Sequence, residues 1–376
     1  MNIRVPSMTP SISDLEVEYV TDAVRNGWGN KRSDYLDALS AEISDLVNLD
    51  FCTPVSHGTS GLQLALHALE VGAGDEVIVP DLTWVASASP IVHLGAKPVF
   101  VDVDETMCVN ASHLRSVINQ KTKAMVIVDL VGSAPKWDEI RTISEEMQIP
   151  VIEDATESIG SKYQSKAIGS LGALSVFSFN ATKLTMSGQG GAVCTDSPTL
   201  NKRIQSLMHH GIDTELSGKY YWSNELGYNY QMSNMQAAMA LAQMQRIDEL
   251  IEFKRKSRQW YLDRFSGTAL EIVPYPRDVD SNAWMTVGII DSSLGIQKED
   301  AVKYFQLAGI DLRPFFYRLS DMPTFATYGR SYDLSDSQFG TALERFGICL
   351  PYGYDLTIDQ VEYVFKIFKT MCKEGI

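Results

Sequence analysis

Lys183 is the residue of this sequence whose surroundings best suit covalent chemistry. It lies in SFNATKLTMSGQGG, after an apolar run and before a glycine-rich turn, where a lysine side chain reaches a cavity instead of bulk solvent. An amine placed there can form an imine with an aldehyde and later carry protons. Taken alone, a lysine between a strand and a loop is more often a surface charge, so its neighbours must decide.

Asp154 is the carboxylate that best complements Lys183. It ends the apolar run PVIED, at the carboxyl edge where open α/β sheets bind ligands. A carboxylate there can keep a pyridine nitrogen protonated, which makes the ring an electron sink. In isolation, an aspartate that caps the next turn is an equally good interpretation. The pairing with Lys183 favours the pyridine interpretation.

A phosphate site and an aromatic face complete what pyridoxal phosphate requires. In HGTSGLQLAL, Gly58 lets the backbone turn and Thr59 opens a helix, so that free N–H groups and the helix dipole face an anion. Ser178 can supply another hydroxyl group. Trp84 can stack on the ring, although a lone tryptophan usually packs in a core. We therefore predict pyridoxal 5′-phosphate as the cofactor.

The elements that must position these residues alternate along the chain. From about residue 50, short β-branched runs alternate with helical stretches, which is typical of an α/β domain with a mostly parallel sheet between helices. Strands are predicted at 76–80, 97–103, 123–129, 150–155, 174–179 and 191–196. Helices are predicted at 59–70, 84–95, 136–148 and 197–209.

The last third of the chain follows a different pattern. Residues 231–265 carry apolar positions at helical spacing, which predicts a helix leaving the large domain. The run AWMTVGIID and helical stretches at 297–308 and 356–372 then indicate a smaller α+β domain. We therefore predict a large cofactor-binding α/β domain over residues 1–240, including the N-terminal segment, and a smaller α+β domain over 241–376.

Composition disfavours several classes of protein. The formal charge of −15 repels nucleic acid, and no apolar run approaches the ~20 residues of a membrane span. The N-terminus lacks the basic and apolar parts of a secretory signal. Five widely spaced cysteines suggest neither a disulfide framework nor a zinc cluster. We expect a cytoplasmic protein that uses no metal, nucleic acid or membrane.

Several sequence blocks resemble the DegT/StrS family of sugar aminotransferases, in the same order and over nearly the whole chain. They are HGTSGLQLAL, GDEVIVPDLTWVASA, GAKPVFVDVD, VIEDATESIG, SFNATK, GQGGAV, HHG, LGYNYQMSNMQAAMALAQMQRIDEL and RPFF. The resemblance implies a fold-type-I aminotransferase in which Lys183 is the Schiff-base lysine. It places Asp154 at the pyridine nitrogen and Glu157 near the 3-hydroxyl group of pyridoxal phosphate.

The same resemblance implies the rest of the site. Gly58, Thr59 and Ser178 would bind the phosphate, and Trp84 would stack on the ring. The residue matching Asn229 reaches the phosphate from the partner subunit in relatives, which implies a homodimer with shared active sites. L-glutamate would convert the cofactor to pyridoxamine 5′-phosphate.

The acceptor implied by the resemblance is a nucleotide-linked sugar ketone. The family branch that fits best aminates 4-keto-6-deoxyhexoses linked to GDP or dTDP, giving perosamine-type sugars for surface polysaccharides such as the O-antigen of lipopolysaccharide. A 3-keto sugar is the alternative, and a cofactor-binding sensor or pseudoenzyme is a second one. Related dehydratases carry histidine where this chain has Lys183, which argues against dehydration.

Departures from the family pattern bear mainly on which sugar the protein binds. His57, Ala181, Gln189 and Gln231 replace the usual asparagine, glycine, glutamate and arginine without changing the cofactor chemistry. The segments NGWGNKRSDYLDALS and YRLSDMPTF also depart, in regions that contact the sugar in relatives. The candidates for substrate contact there, each also consistent with a structural role, are Arg313, Tyr317, Trp28 and Tyr35.

Overall fold

The computed structural model of the protein describes residues 4–212 and 222–374. The α-helices of this part are α1 (Asp14–Asn26), α2 (Asp34–Val47), α3 (Gly58–Ala68), α4 (Ser89–His93), α5 (Ala111–Val117), α6 (Trp137–Met147), α7 (Pro198–Met208), α8 (Asn234–Met244), α9 (Ile247–Phe265), α10 (Lys298–Leu307), α11 (Gln338–Phe346) and α12 (Ile358–Glu374). Short 3-10 helices lie at Gly29–Lys31, Val85–Ser87, Leu130–Gly132, Ser292–Leu294 and Leu319–Asp321.

The strands of the described chain form three sheets. They are β1 (Phe51–Val55), β2 (Glu76–Pro80), β3 (Lys97–Val101), β4 (Thr122–Val128), β5 (Val151–Asp154), β6 (Lys162–Tyr163), β7 (Lys166–Ala167), β8 (Leu174–Ser178), β9 (Gly191–Thr195), β10 (Leu270–Ile272), β11 (Val279–Asp280), β12 (Val287–Ile290), β13 (Arg313–Pro314) and β14 (Gly347–Cys349). The sheet orders are β1-β9-β8-β5-β4-β2-β3, β10-β12-β14-β13 and β11-β6-β7.

The seven-stranded sheet is mixed and mostly parallel. Parallel pairing joins β3 to β2, β2 to β4, β4 to β5 and β5 to β8, whereas β9 and β1 complete the other edge antiparallel. Its central strands are buried along almost their whole length, which explains why their sequences are continuous apolar runs instead of alternating ones. The predicted α/β fold with this sheet is confirmed.

Two predicted helices differ from those observed. The stretch 84–95 contains the short helix Val85–Ser87 and then α4, in which Pro90 lies in the first turn. Since proline has no amide hydrogen and fits only the start of a helix, a new helix begins there instead of one continuous helix.

The predicted helix at 231–265 is two helices, α8 and α9. At the break, the guanidinium group of Arg246 donates to Glu16 Oε1 at 2.6 Å and to Ser11 Oγ at 2.8 Å. Helix α8 packs on α1 and α2, whereas α9 packs on α12 and β10. The break therefore turns the chain from the N-terminal helices towards the last third, and the domain boundary near residue 240 stays a prediction.

The last third is the smaller α+β unit expected from its pattern. Its antiparallel sheet is covered by helices, and its core includes Phe305, Ile348 and Phe368, each at most 1% exposed. Among the helices of residues 4–212 and 222–374, none is both long enough and apolar enough to cross a membrane.

Candidate active site

The predicted cofactor residues converge at the carboxyl ends of β5 and β8. Asp154 is the last residue of β5 and Ser178 the last residue of β8, and the turn that carries Lys183 follows β8. Because β5 and β8 are parallel neighbours, both strands end at the same edge of the sheet. The topology therefore brings side chains from distant parts of the sequence to one place.

Asp154 is a buried carboxylate, only 2% exposed. Its Oδ2 accepts a hydrogen bond from Ser87 Oγ at 2.7 Å, and its Oδ1 accepts one from the Thr156 amide at 3.3 Å. Burial raises the pKa of Asp154 above its ordinary value, while these hydrogen bonds and the charge of Lys183 oppose the rise. A carboxylate in such a place gains from a cationic partner that replaces the lost water.

Lys183 forms an ion pair with Glu157. Its Nζ lies 3.1 Å from Glu157 Oε1, and the two side chains are 14% and 4% exposed. The other carboxylate oxygen of Glu157 accepts a hydrogen bond from the Val131 amide at 3.0 Å. The amine is therefore held at one side of the site by a carboxylate that is itself held by backbone.

The turn that holds Glu157 is conformationally strained. Val131 has φ 49° and ψ 35°, a left-handed conformation that costs a β-branched residue about 1–3 kcal/mol. A Cβ atom on the next residue, Gly132, would lie 2.4 Å from Asn282 Oδ1, so glycine is required for this close approach. Asn282 Nδ2 in turn donates to the backbone oxygen of Glu157 at 3.3 Å.

The N-terminus of α3 forms a cradle with the end of β8. A Cβ atom on Gly58 would lie 3.0 Å from Ser178 Cβ and 3.2 Å from Thr156 Cγ2, so glycine lets the helix approach this closely without crowding its neighbours. The side chain of His57, the N-cap residue, makes no capping hydrogen bond, and Thr59 is exposed. The first residue of α3 and the Ser178 hydroxyl group therefore lie close together at a helix N-terminus, which suits a phosphate.

Trp84 forms an exposed aromatic wall. Its side chain is 58% exposed and its ring centre lies 6.4 Å from that of Phe316. An amine, a buried carboxylate, a cradle at a helix N-terminus and an aromatic surface on adjoining loops are the groups that pyridoxal phosphate needs. The described residues therefore fit this cofactor. Among them, no group of three or more His, Cys, Asp or Glu side chains could hold a metal ion.

Two of the four substrate candidates lie in the last third of the chain. Arg313 is exposed on β13, and its Nε donates to Ser7 Oγ at 3.2 Å. Burial raises the pKa of the neighbouring Cys349 thiol to about 12; Glu157 adds to the rise, and Arg313 is among the cations that oppose it. Arg313 and Glu157 thus both act on Cys349, which pairs with Arg313 across β13 and β14. Tyr317, 43% exposed, donates to Glu299.

The other candidates are Trp28 and Tyr35, in the N-terminal segment, and Asn229. Trp28, 63% exposed, donates to the Val24 carbonyl oxygen, and Tyr35 donates to Asp22 beside a cavity of about 330 Å³. Asn229 is exposed and forms a β-bridge with His209. No hydrogen bond or ion pair of the described residues joins Trp28, Tyr35 or Asn229 to Asp154, Glu157 or Lys183.

Some residues of the site were not predicted from the sequence. Ser87 lies three positions after Trp84 in PDLTWVAS, so its spacing on a helical turn could have revealed it. Asn282, Trp284 and Tyr354 reach the site from about a hundred or more positions away along the chain, and no local pattern marks them.

Comparison with known proteins agrees with this geometry. Residues 10–369 match the model of the DegT/DnrJ/EryC1/StrS aminotransferase family. GDP-perosamine synthase of Vibrio cholerae is 32% identical over 368 residues, which cover 97% of this chain and 98% of that protein. GDP-perosamine synthase of Escherichia coli O157:H7 is 33% identical over 361 residues, with 96% of each chain covered.

Solved structures show the same architecture. The PMP form of the Streptococcus pneumoniae protein Spr1654, described as a sugar aminotransferase, superimposes with a TM-score of 0.89 at 25% identity, covering 99% of this chain and 100% of that one. DesI in the presence of its TDP-sugar product superimposes with a TM-score of 0.90 at 24% identity, covering 100% of this chain and 94% of that one, a likeness of fold alone.

Proposed function

The chain belongs to the DegT/DnrJ/EryC1/StrS family and is a pyridoxal-phosphate-dependent aminotransferase, and on this premise we propose its amino donor and its amino acceptor. The donor is L-glutamate. The acceptor is the 4-keto carbon of a nucleotide-linked 4-keto-6-deoxyhexose, and the product is a perosamine-type 4-amino-4,6-dideoxy sugar. A cytoplasmic location and a place in surface-polysaccharide synthesis are part of the same proposal.

The observation that carries the proposal is the similarity to GDP-perosamine synthases along nearly the whole chain, combined with the Lys183–Glu157 pair beside buried Asp154. Pyridoxal phosphate, when bound, supplies an aldehyde and an electron-withdrawing ring that acidifies the carbon bearing the transferred nitrogen. Lys183 holds this group and then moves protons to and from the substrate carbon through its Nζ atom.

The other residues position and charge the site. Asp154 holds a proton at the pyridine nitrogen, since a buried carboxylate gains most from a cationic partner. Glu157 keeps the Lys183 amine in place through their 3.1 Å contact. Gly58, Thr59 and Ser178 bind the phosphate at the N-terminus of α3, and Trp84 covers the ring. Arg313 and Tyr317 contact the substrate from the smaller unit.

A substrate panel tests the proposal directly. The purified holoenzyme is mixed with L-glutamate and with GDP-linked or dTDP-linked 4-keto and 3-keto 6-deoxyhexoses, and amino sugars are identified by mass spectrometry. We expect a 4-amino product, with the GDP-linked sugar preferred because of the named relatives. Formation of a 3-amino product alone would refute the acceptor assignment, and no spectral change with glutamate would refute the donor assignment.

The active site is shared between two subunits in this proposal. Asn229 is exposed, and no hydrogen bond or ion pair of the described residues joins it to Lys183 of its own chain, so it is available to reach a partner's phosphate site. Trp28 and Tyr35, on the N-terminal segment, are likewise available to a partner's substrate.

Mixing two inactive variants tests the shared site. Lys183→Ala and Asn229→Ala each disable one component, and a hybrid dimer of the two contains one intact site. We expect activity to return when the variants are unfolded together and refolded, and a dimer mass by light scattering. An inactive mixture, with hybrids detected by mass spectrometry, would show that each chain builds its own site.

A further inference from the structure

The two carbonyl groups that flank Lys183 along the chain are both held by aromatic side chains of the last third. Trp284 Nε1 donates to the Thr182 oxygen at 3.0 Å, and the Tyr354 hydroxyl donates to the Leu184 oxygen at 3.1 Å. We infer that Trp284 and Tyr354 are positioning residues for the Lys183 amine, assisted by Asn282 at Glu157. The inference rests on the aminotransferase role of Lys183 and on no particular sugar.

Trp284 also covers the amine itself. Its ring centre lies 4.5 Å from Lys183 Nζ, and the residue is only 4% exposed. An edge-to-face contact with the Tyr352 ring, 5.9 Å between centres, fixes the indole from the other side. The indole therefore orients the turn through its N–H group and shields the amine from water through its face.

Tyr354 is a permanent hydrogen-bond donor. Burial raises its pKa far above the ordinary value of 10.0, so its hydroxyl group keeps its proton at every working pH. Its ring lies 3.8 Å from the Nζ of Lys254 and 5.5 Å from the ring of Phe253, both on α9. The Tyr354 side chain therefore links the Leu184 carbonyl to helix α9.

Asn282 fixes the carboxylate partner of Lys183. It is fully buried, and its Nδ2 donates to the backbone oxygens of Glu157 and Ile159 at 3.3 and 3.0 Å. Its Oδ1 accepts from the Trp284 amide at 2.9 Å, across Ala283 with φ 53°. A left-handed alanine persists only where its surroundings determine it, so the segment 282–284 is held at both ends.

The chemistry explains why such support matters. A proton moves efficiently only between atoms at hydrogen-bond distance, and a displacement of about 1 Å can slow a reaction on the order of 100-fold. A lysine on a surface turn would sample many positions. Holding both neighbouring carbonyls restricts the turn without contacting the substrate.

Variants at the two aromatic residues test the inference. Trp284→Leu removes the ring and the donor, Trp284→Phe removes only the donor, and Tyr354→Phe removes only the hydroxyl group. Tyr363→Phe is the matched control, because Tyr363 also donates to a backbone oxygen, that of Ala308, within the smaller unit. Thermal unfolding shows which variants fold.

The first readout uses cofactor-free protein. Acetic anhydride modifies lysines, and mass spectrometry gives the rate at Lys183 relative to exposed Lys303 in the same sample. We expect the ratio to rise at least about threefold in Trp284→Leu, since the cover is lost. The control should leave it unchanged. An unchanged ratio in folded Trp284→Leu would overturn the inference.

The second readout is the half-reaction of the holoenzyme with L-glutamate, followed by the visible spectrum. We expect the maximal rate to fall on the order of 10- to 100-fold in Trp284→Leu and about fivefold in Tyr354→Phe. The glutamate concentration that gives half the maximal rate should change little. Trp284→Phe keeps an aromatic cover but loses the donor to the Thr182 oxygen, so its rate should lie below that of the control and above that of Trp284→Leu. Rates equal to the control in the two phenylalanine variants would overturn the inference even if Trp284→Leu failed to fold.

The two readouts separate this inference from the proposed function. If the wild-type holoenzyme did not react with L-glutamate, the proposed donor would be wrong, and the modification of Lys183 would still decide whether Trp284 covers its amine.

Discussion

Neighbouring carboxyl residues of β5 have opposite surroundings. Asp154 faces the site, whereas Glu153 accepts hydrogen bonds from the amides of Leu171 and Gly172 at 2.8 and 3.0 Å. Successive side chains of a strand point to opposite faces, so one aspartate can serve chemistry while the preceding glutamate anchors a loop. Burial raises the pKa of both carboxyl groups, that of Glu153 to about 7, and the hydrogen bonds that each carboxylate accepts oppose the rise.

Gly58→Ala tests the cradle at the residue scale. The added methyl group would lie 3.0 Å from Ser178 Cβ, so α3 or the end of β8 must give by a few tenths of an ångström. A displaced helix N-terminus loses charge-assisted hydrogen bonds to a phosphate, and we expect the dissociation constant of pyridoxal phosphate to rise about tenfold. Titration of cofactor-free protein, followed by absorbance, measures it.

Gly72→Ala is the matched control for this change. A Cβ atom on Gly72 meets nothing within 4 Å, so the substitution alters the backbone in the same way without a clash. Its cofactor affinity should equal that of the wild type. Equal affinity in Gly58→Ala as well would exclude the cradle as the phosphate site.

At the scale of elements, the predictions from the sequence were most accurate where a single hydrophobic pattern extends over a whole strand or helix. The predicted strand 76–80 is β2 itself, because a buried parallel strand needs a continuous apolar run. The prediction of one helix at 231–265 was wrong at Gln245 and Arg246, where the ion pair of Arg246 with distant Glu16 accompanies a break that local periodicity does not contain.

The residues of the site could likewise be predicted only where a local sequence pattern marks them. Asp154, Ser178 and Lys183 lie at strand ends, which a sequence reveals, and the structure brings them to one edge. Asn282, Trp284 and Tyr354 act through contacts that join distant segments, which a single sequence does not encode locally. Whether Asn229, Trp28 and Tyr35 belong to the site stays a prediction, since no hydrogen bond or ion pair of the described residues joins them to Lys183.

Helix α9 carries a buried lysine whose titration should be visible in stability. Lys254 is 1% exposed and donates to the Tyr352 oxygen, and burial lowers its pKa from 10.5 to about 7. Between pH 7 and pH 10.5, Lys254 is protonated in the unfolded chain and neutral in the folded protein. The folded state therefore loses stability as pH falls from about 10.5 to 7.

Lys254→Met removes that loss. We expect the variant to gain stability relative to the wild type by about 1 kcal/mol for each pH unit between pH 9 and 7, measured by urea unfolding. Lys256→Met, at an exposed position of the same helix, is the control and should differ from the wild type equally at both pH values. A pH-independent difference for Lys254→Met would show that Lys254 is charged in the folded protein.

At the scale of the molecule, a buried carboxylate joins the last third to the loop that carries Trp84. Both oxygens of fully buried Asp81 accept hydrogen bonds: Oδ1 from the Ser320 amide, and Oδ2 from the hydroxyl groups of Ser320 and Tyr332, all at 2.7 Å. Arg318 Nε donates to the same Tyr332 hydroxyl. The position of the aromatic wall therefore depends on contacts between the two units.

Asp81→Asn should weaken the contact between the last third of the chain and the loop that carries Trp84. The amide nitrogen of the new side chain cannot accept the hydrogen bonds that one carboxylate oxygen accepts, and the loss is expected to be about 1–3 kcal/mol in the free energy of unfolding. Asp321→Asn, which removes an exposed ion pair with Arg330, is the control and should cost less than about 1 kcal/mol. Equal losses in the two variants would show that Asp81 adds no special stability.

The hydrogen bonds to the carbonyls beside Lys183 also determine when the site is completed during synthesis of the chain. The ribosome makes the chain from the N-terminus, so Lys183 leaves it long before Trp284 and Tyr354 exist. A nascent chain that has completed the sheet still lacks the donors for the Thr182 and Leu184 oxygens. Productive capture of the cofactor therefore waits until synthesis has passed Tyr354.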